Sequence, residues 1–106
     1  MPAEKDIFIN KAKMFLDFLR QDGIDVADAY LFGSVVEGRA NDESDIDVAV
    51  VSRDFQGIPF YDMQRIGKHR RRVDLRLEIH PFSLHDVQTD PSQFYLKIKQ
   101  VGIQIS

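Results

Sequence analysis

Asp45 and Asp47 stand one residue apart at the head of an apolar run, Ile46, Val48, Ala49, Val50 and Val51. On a strand, residues two apart project from the same face, so the spacing sets both carboxylates side by side. Ile46, Val48 and Val50 then turn to the other face and can be buried. Two carboxylates a few ångströms apart repel, which raises one pKa unless a cation lies between them. Hard oxygen ligands of this kind suit Mg²⁺, which takes one or two protein carboxylates and fills its octahedron with water and substrate phosphates. Upstream, the apolar stretch Leu31-Phe32 runs into Gly33-Ser34. The glycine lets backbone come close to a phosphate, and the serine offers a hydroxyl and an N–H to the same anion. A phosphate cradle and a metal-binding acid pair therefore share one compact hairpin-like unit, Leu31 to Val51. Each fragment alone has a plainer meaning, because Gly-Ser is common in turns and Asp-x-Asp marks exposed strand edges and calcium loops. The ordered set, each part in its strand or turn, is the specific signal.

The rest of the chain supplies the elements that hold this unit. Asp6 can cap a helix over Ile7–Gln21, whose Phe8, Ala12, Phe15, Leu16 and Leu19 form one apolar stripe, with Gly23 as its stop. Asp28–Phe32 reads as the first strand, and Gly33–Ala40 as a turn with a short helix. Asn41–Ser44 carries turn chemistry, with Ser44 either a plain turn residue or a support for Asp45. Asp45–Ser52 is a central second strand. Pro59 precedes a helix over Tyr61–His69, with Met63 and Ile66 inward. Val73–Ile79 alternates as a third strand, with Val73, Leu75, Leu77 and Ile79 on one face and Asp74, Arg76, Glu78 and His80 on the other. His80-Pro81-Phe82-Ser83 leaves the sheet. Ser83 caps a helical turn over Leu84–Val87, and Pro91–Gln100 is the last helix, presenting Phe94, Leu96, Ile98 and Val101. Gly102 stops it before a short extension, Ile103–Ile105. The alternation of helices and strands gives an α/β (α+β) sandwich with a small mixed sheet.

Gly33-Ser34, ten intervening residues and Asp45-Ile46-Asp47 together resemble the signature of the DNA polymerase beta-like nucleotidyltransferases. Within them the chain is similar to the minimal nucleotidyltransferases of prokaryotes, which include antitoxins paired with HEPN-domain toxins. The likeness covers residues 28–80 and implies a palm-like fold. It also asks for a third acid between hydrophobic residues on a later strand. Asp74, in Arg72-Val73-Asp74-Leu75, is preferred as metal ligand or general base; Glu78, in Leu77-Glu78-Ile79, is the competitor. The resemblance thus implies Asp45, Asp47 and Asp74 as catalytic acids holding two Mg²⁺ ions, with Gly33, Ser34, Ser44 and Arg39 at the nucleotide. Glu37 stands where relatives often carry a basic residue, which leaves the side chain that steadies the triphosphate open, with Arg39 close by. The implied reaction moves a nucleoside monophosphate, AMP from ATP, onto a hydroxyl, such as a tyrosine of a partner toxin. The alternatives are an antitoxin that neutralises its partner by contact alone and transfer to a small molecule of the aminoglycoside kind.

Composition bounds these readings. At 106 residues the expectation is one domain spanning 1–106, burying roughly two-thirds of its unfolded surface. With no cysteine, thiolate metal sites and thiol nucleophiles are excluded. A net charge of −3 argues against a general nucleic-acid coat protein. No signal peptide or membrane-length apolar run is seen, so a cytoplasmic location is expected; homo-oligomerisation stays open. Acids cluster at Asp42, Glu43, Asp45 and Asp47, whereas Lys68-His69-Arg70-Arg71-Arg72 is basic. That run suits either a triphosphate or the C-terminal end of a helix, where the dipole favours cations. His80 is read as structural or as a proton carrier, and Arg76 as a neutraliser of its acidic neighbours or a phosphate contact. Phe55, Phe60 and Tyr61 form a partner surface unless the core takes them.

Overall fold

A computed structural model describes residues 4–39 and 44–106. Asn41, Asp42 and Glu43, read above as a loop, and Ala40 before them fall outside the described residues. Helix α1 (Glu4–Gln21) begins two residues before Asp6, so that residue does not cap it. Its apolar stripe is wholly buried, and it ends at Gly23 in the left-handed region (φ +77°), where Ile24 N–H donates to the Leu19 carbonyl. Strand β1 (Asp28–Phe32) leads directly into a single 3-10 turn, Gly33–Val35. Strand β2 (Ile46–Ser52) follows, with Asp45 just ahead of it.

Helix α2 (Pro59–Val73) is longer at both ends than its apolar residues suggest. Pro59 occupies the first turn, where its missing N–H costs nothing. Ile58 offers no side-chain cap; the buried Asp62 carboxylate instead accepts from the Gln56 and Gly57 N–H groups at 2.8 and 3.1 Å. The last turn absorbs the basic run. Lys68 and His69 pair with Asp22 at 3.6 and 2.9 Å, and the Arg72 guanidinium lies 4.0 Å over the Phe18 ring. Arg70 donates to the Leu75 and Leu77 carbonyls, tying the turn that follows. Of the two meanings left open for this run, the structure supports a helix end knitted into the fold.

Strand β3 (Leu77–Ser83) begins four residues later than expected, and His80–Ser83 stays in the sheet rather than leaving it. The register decides this: Ile46, Asp47, Val48 and Ala49 of β2 pair in parallel with Leu77, Glu78, Ile79 and His80. Leu75, placed inward by alternation, is two-thirds exposed in the turn before β3. Ser83 accepts from the Asp86 N–H to cap α3 (Leu84–Thr89), and Ser92 accepts from the Tyr95 N–H to cap α4 (Gln93–Val101). Strand β4 (Ile103–Gln104) closes the order β3-β2-β1-β4, with β1 antiparallel to both neighbours. This is the mixed α+β architecture expected.

Alternation sorts the core into two layers. Ala29, Leu31, Ile46, Val48, Val50, Leu77 and Ile79 face α1 and Ile66 of α2, whereas Tyr30, Phe32, Ala49 and Val51 meet Tyr95 and Ile98 of α4. Asp47, Glu78 and His80 have the parity of the second group, so the polar residues emerge beside α4. Among the described residues, no helix is long and apolar enough to cross a membrane.

Candidate active site

The site is built across three adjacent strand positions. Phe32 of β1 is opposite Asp47 of β2, which is opposite Glu78 of β3. The chain then turns at Gly33, whose φ of +79° favours glycine. A Cβ on Gly33 would collide with the Asp47 Oδ2 and stand 3.2 Å from its Cγ. The missing side chain is therefore the seat of the Asp47 carboxylate. One ligand atom from each of Asp47, Glu78 and His80 lies within 4.8 Å of the other two, and the His80 Nε2 is 3.2 Å from the Asp47 Oδ1. Asp45, exposed at the strand entrance, hydrogen-bonds to Glu78.

Electrostatics mark this cluster as short of positive charge. The Glu78 carboxyl is pushed above the ordinary glutamate range by partial loss of solvent, by the Asp45 hydrogen bond, and by the negative charges of Asp47 and Asp45; His80 opposes the rise. Because Glu78 is an exposed residue, the two aspartates are the stronger physical reason. A divalent cation fits such a set: the Asp47 and Glu78 carboxylates converge beside the Gly33 turn, with His80 as a third donor within reach.

Asp74 lies elsewhere. It is not on β3 but caps the C-terminus of α2, where its N–H donates to the Arg70 carbonyl. Its carboxylate takes Lys11 Nζ at 2.5 Å, Arg76 Nη2 at 3.0 Å and the Arg76 N–H at 2.8 Å. The Arg76 guanidinium foremost, then Lys11, hold it well below the usual carboxylate range against the opposing effect of burial. Asp74 is thus a saturated structural anion, and the β3 residue beside Asp47 is Glu78. Arg76, weighed above as neutraliser or phosphate contact, neutralises Asp74. Arg39, expected at the nucleotide, is ion-paired on the surface with Glu37, its Nε 3.1 Å from Oε2. Ser34 is half-buried in the turn beside Gly33, and Ser44 is half-buried next to Asp45.

Two members of the site were undervalued in the sequence. His80 shares the parity of Asp47 and Glu78, which was its available signal. Phe94, one of the apolar residues presented by the last helix, is half exposed and roofs the site, its ring 5.6 Å from His80 and 5.8 Å from Phe32. Nothing local to α4 announces that contact.

The mixed sheet brings Asp47 of β2 together with Glu78 and His80 of β3 beside the Gly33 turn, an arrangement that can hold a divalent cation and phosphate oxygens. The sequence profile of the nucleotidyltransferase domain matches residues 12–99, and the chain belongs to that family. In fold it is similar to a "putative nucleotidyltransferase" from Sulfolobus solfataricus, with a TM-score of 0.67 at 16% identity, over 94% of this chain and 80% of that one. No curated protein sequence matches the chain.

Proposed function

We propose that this domain transfers a nucleoside monophosphate, AMP from ATP, to a hydroxyl of a partner protein. Asp45, Asp47 and Glu78 would hold the divalent metal, Mg²⁺ by the hardness of its oxygen donors. The observation that carries this is the convergence of Asp47, Glu78 and His80 beside the Gly33 turn, within a family match that spans the same residues; Asp45 is added to them from its place just ahead of β2. Metal bound there supplies charge neutralisation to the triphosphate and lowers the pKa of the incoming hydroxyl. The chain's own part is positional. Gly33 and Ser34 admit phosphate oxygens close to backbone, and the Asp47 carboxylate sits between that turn and Glu78 of β3. His80 fixes the orientation of Asp47. Positioning and charge stabilisation carry most of phosphoryl-type transfer, so small displacements are costly. A HEPN-type toxin is the proposed partner and the cytoplasm the proposed compartment, on the resemblance of Gly33-Ser34 and Asp45-Ile46-Asp47 to the minimal antitoxin nucleotidyltransferases.

Calorimetric titration of ATP with Mg²⁺ into the wild type and Asp45→Asn/Asp47→Asn tests the site. Metal-dependent binding lost in the double variant, followed by transfer of label from α-³²P ATP to a co-purifying partner, supports the proposal. Partner neutralisation that survives the double variant, with no labelling by the wild type, would replace it with a contact-only module.

A further inference from the structure

His80 differs from its neighbours Asp47 and Glu78 in offering a nitrogen rather than an oxygen. Strand pairing explains how it reaches them. Asp47 and Glu78 are partners across β2 and β3, and His80, two residues after Glu78, shares its face. The β2 residue paired with His80 is Ala49, too short to block the imidazole, whose Nε2 comes to 3.2 Å from the Asp47 Oδ1. The rings of Phe32 and Phe94, with centroids 5.0 and 5.6 Å from that of His80, hold the imidazole in this direction. Packing thus fixes the nitrogen before any ion arrives. Among the described residues, Asp47, Glu78 and His80 are the one set of three metal-ligating side chains whose donor atoms all lie within 4.8 Å of one another. Adjacent donors on an ion with bonds of about 2.1 Å stand about 3 Å apart, so the spacing of His80 and Asp47 already suits a shared ion.

We propose that Asp47, Glu78 and His80 hold a resident first-row transition cation, of the series from Mn²⁺ to Zn²⁺, in preference to Mg²⁺, and that the His80 Nε2 is the ligand that selects it. The inference rests on the site proposed above and adds an ion to it. Mg²⁺ arrives with the triphosphate, whereas this ion is bound by the chain alone. Carboxylate oxygens accept either kind of ion. An imidazole nitrogen is a good donor to the transition ions and a poor one to Mg²⁺, which also sheds its water reluctantly. Without metal, the contact between Nε2 and the Asp47 Oδ1 is the hydrogen bond by which His80 orients Asp47. The ion takes the place of the proton in that bond, and the neutral imidazole is the form that binds it. Two carboxylates match one divalent charge, so this pair of acids no longer repels an incoming triphosphate.

Titration of Mn²⁺ and of Mg²⁺, each alone, into tag-free protein without nucleotide tests the selection. Free Mn²⁺ is followed by its EPR amplitude, and Mg²⁺ by competition against it. Mn²⁺ is the stringent probe, since of the transition series it is the closest to Mg²⁺ in its liking for oxygen. Mn²⁺ is expected to bind at least about tenfold tighter than Mg²⁺. His80→Gln should weaken Mn²⁺ about tenfold and leave Mg²⁺ within about twofold, erasing the preference. A residue that only orients Asp47 would weaken both ions alike when lost, and that result would overturn the proposal. Pulsed EPR on the wild type needs no variant. Bound Mn²⁺ should show ¹⁴N modulation that changes to the ¹⁵N pattern on ¹⁵N-histidine labelling. Of the other two histidines, His69 is buried against Asp22, and the exposed His85 is the control, its Gln variant keeping the modulation. Mn²⁺ bound without nitrogen coupling, equal affinity for the two ions, or no Mn²⁺ bound to the nucleotide-free protein would each overturn the proposal. None of these readings uses ATP. Absence of ATP·Mg²⁺ binding by the wild type would remove the proposed function and leave the metal result standing.

Discussion

Gly33 and Gly38 form a matched pair for testing how the acid site is seated. Both lie in the left-handed region, at φ +79° and +76°. A Cβ at Gly38 would meet nothing within 4 Å, whereas one at Gly33 strikes the Asp47 carboxylate. Alanine at either position bears the conformational cost of a left-handed residue, about 1–2 kcal/mol. For a domain of this size we expect each to lower Tm by about 5–10 °C. Gly33→Ala carries a further cost, because the Asp47 Cγ and Cβ lie 3.2 and 3.5 Å from the new methyl. The carboxylate must leave its rotamer, worth about 1 kcal/mol more. It also leaves its place among the proposed metal ligands. Losing one charge-assisted contact, about 1.5–3 kcal/mol, weakens ATP·Mg²⁺ binding by about tenfold or more. Thermal unfolding and calorimetric titration on both variants measure these effects. Equal ATP·Mg²⁺ affinity in the two variants, or equal stability loss, would refute the claim that the missing side chain seats Asp47.

Three other outcomes follow from separate parts of the molecule. Asp74→Asn leaves Lys11 and Arg76 facing each other and should cost about 1–2 kcal/mol near pH 7, with ATP·Mg²⁺ affinity retained; lost affinity would return Asp74 to the site. Because its folded pKa is depressed, the stability Asp74 contributes is present above the unfolded value and lost as pH falls through the folded one. Denaturant melts from pH 5 down to 2 should therefore show a steeper acid loss in wild type than in Asp74→Asn. Glu78→Gln should behave oppositely, abolishing the Mg²⁺-dependent rise in Tm while leaving the metal-free protein as stable or more so. Glu78 has a raised folded pKa, so the wild type gains on Glu78→Gln as pH falls from neutrality through that value; parallel stability curves would count against the carboxylate crowding. Asp62→Ala strips the acceptor from the Gln56 and Gly57 N–H groups and should cost about 2–3 kcal/mol in chemical denaturation.

The half of the site on β1 and β2 was legible because it is local. Gly33, Ser34 and Asp47 sit where strand parity and one turn place them, whereas Asp45 lies just ahead of β2, and β1 has the very bounds the apolar run indicates. The β3 half was not, because two registers satisfy the same alternation. Val73, Leu75, Leu77 and Ile79 alternate with polar residues whether the strand begins at residue 73 or 77. Tertiary contacts decide: Lys11, 63 residues upstream, claims Asp74, and Ile46 pairs with Leu77. The arginines also concealed the end of α2, since the apolar residues stop at Ile66 and the cationic run carries the helix four residues beyond His69. Pro81 spoke against a strand through His80–Ser83, a rule that lapses at a sheet edge.

That position of Pro81 bears on how the molecule keeps to itself. An outer strand is a template on which another chain can grow, and β3 is the long outer strand of this sheet; β4, at the far side, spans two residues. A proline within the run withholds one donor from the ladder, and the neighbouring Glu78 and His80 add charge and bulk to the same stretch. Strand addition beside the carboxylates, the first step toward fibrous self-association, is thereby discouraged. The edge can stay uncovered without turning into a seam for aggregation.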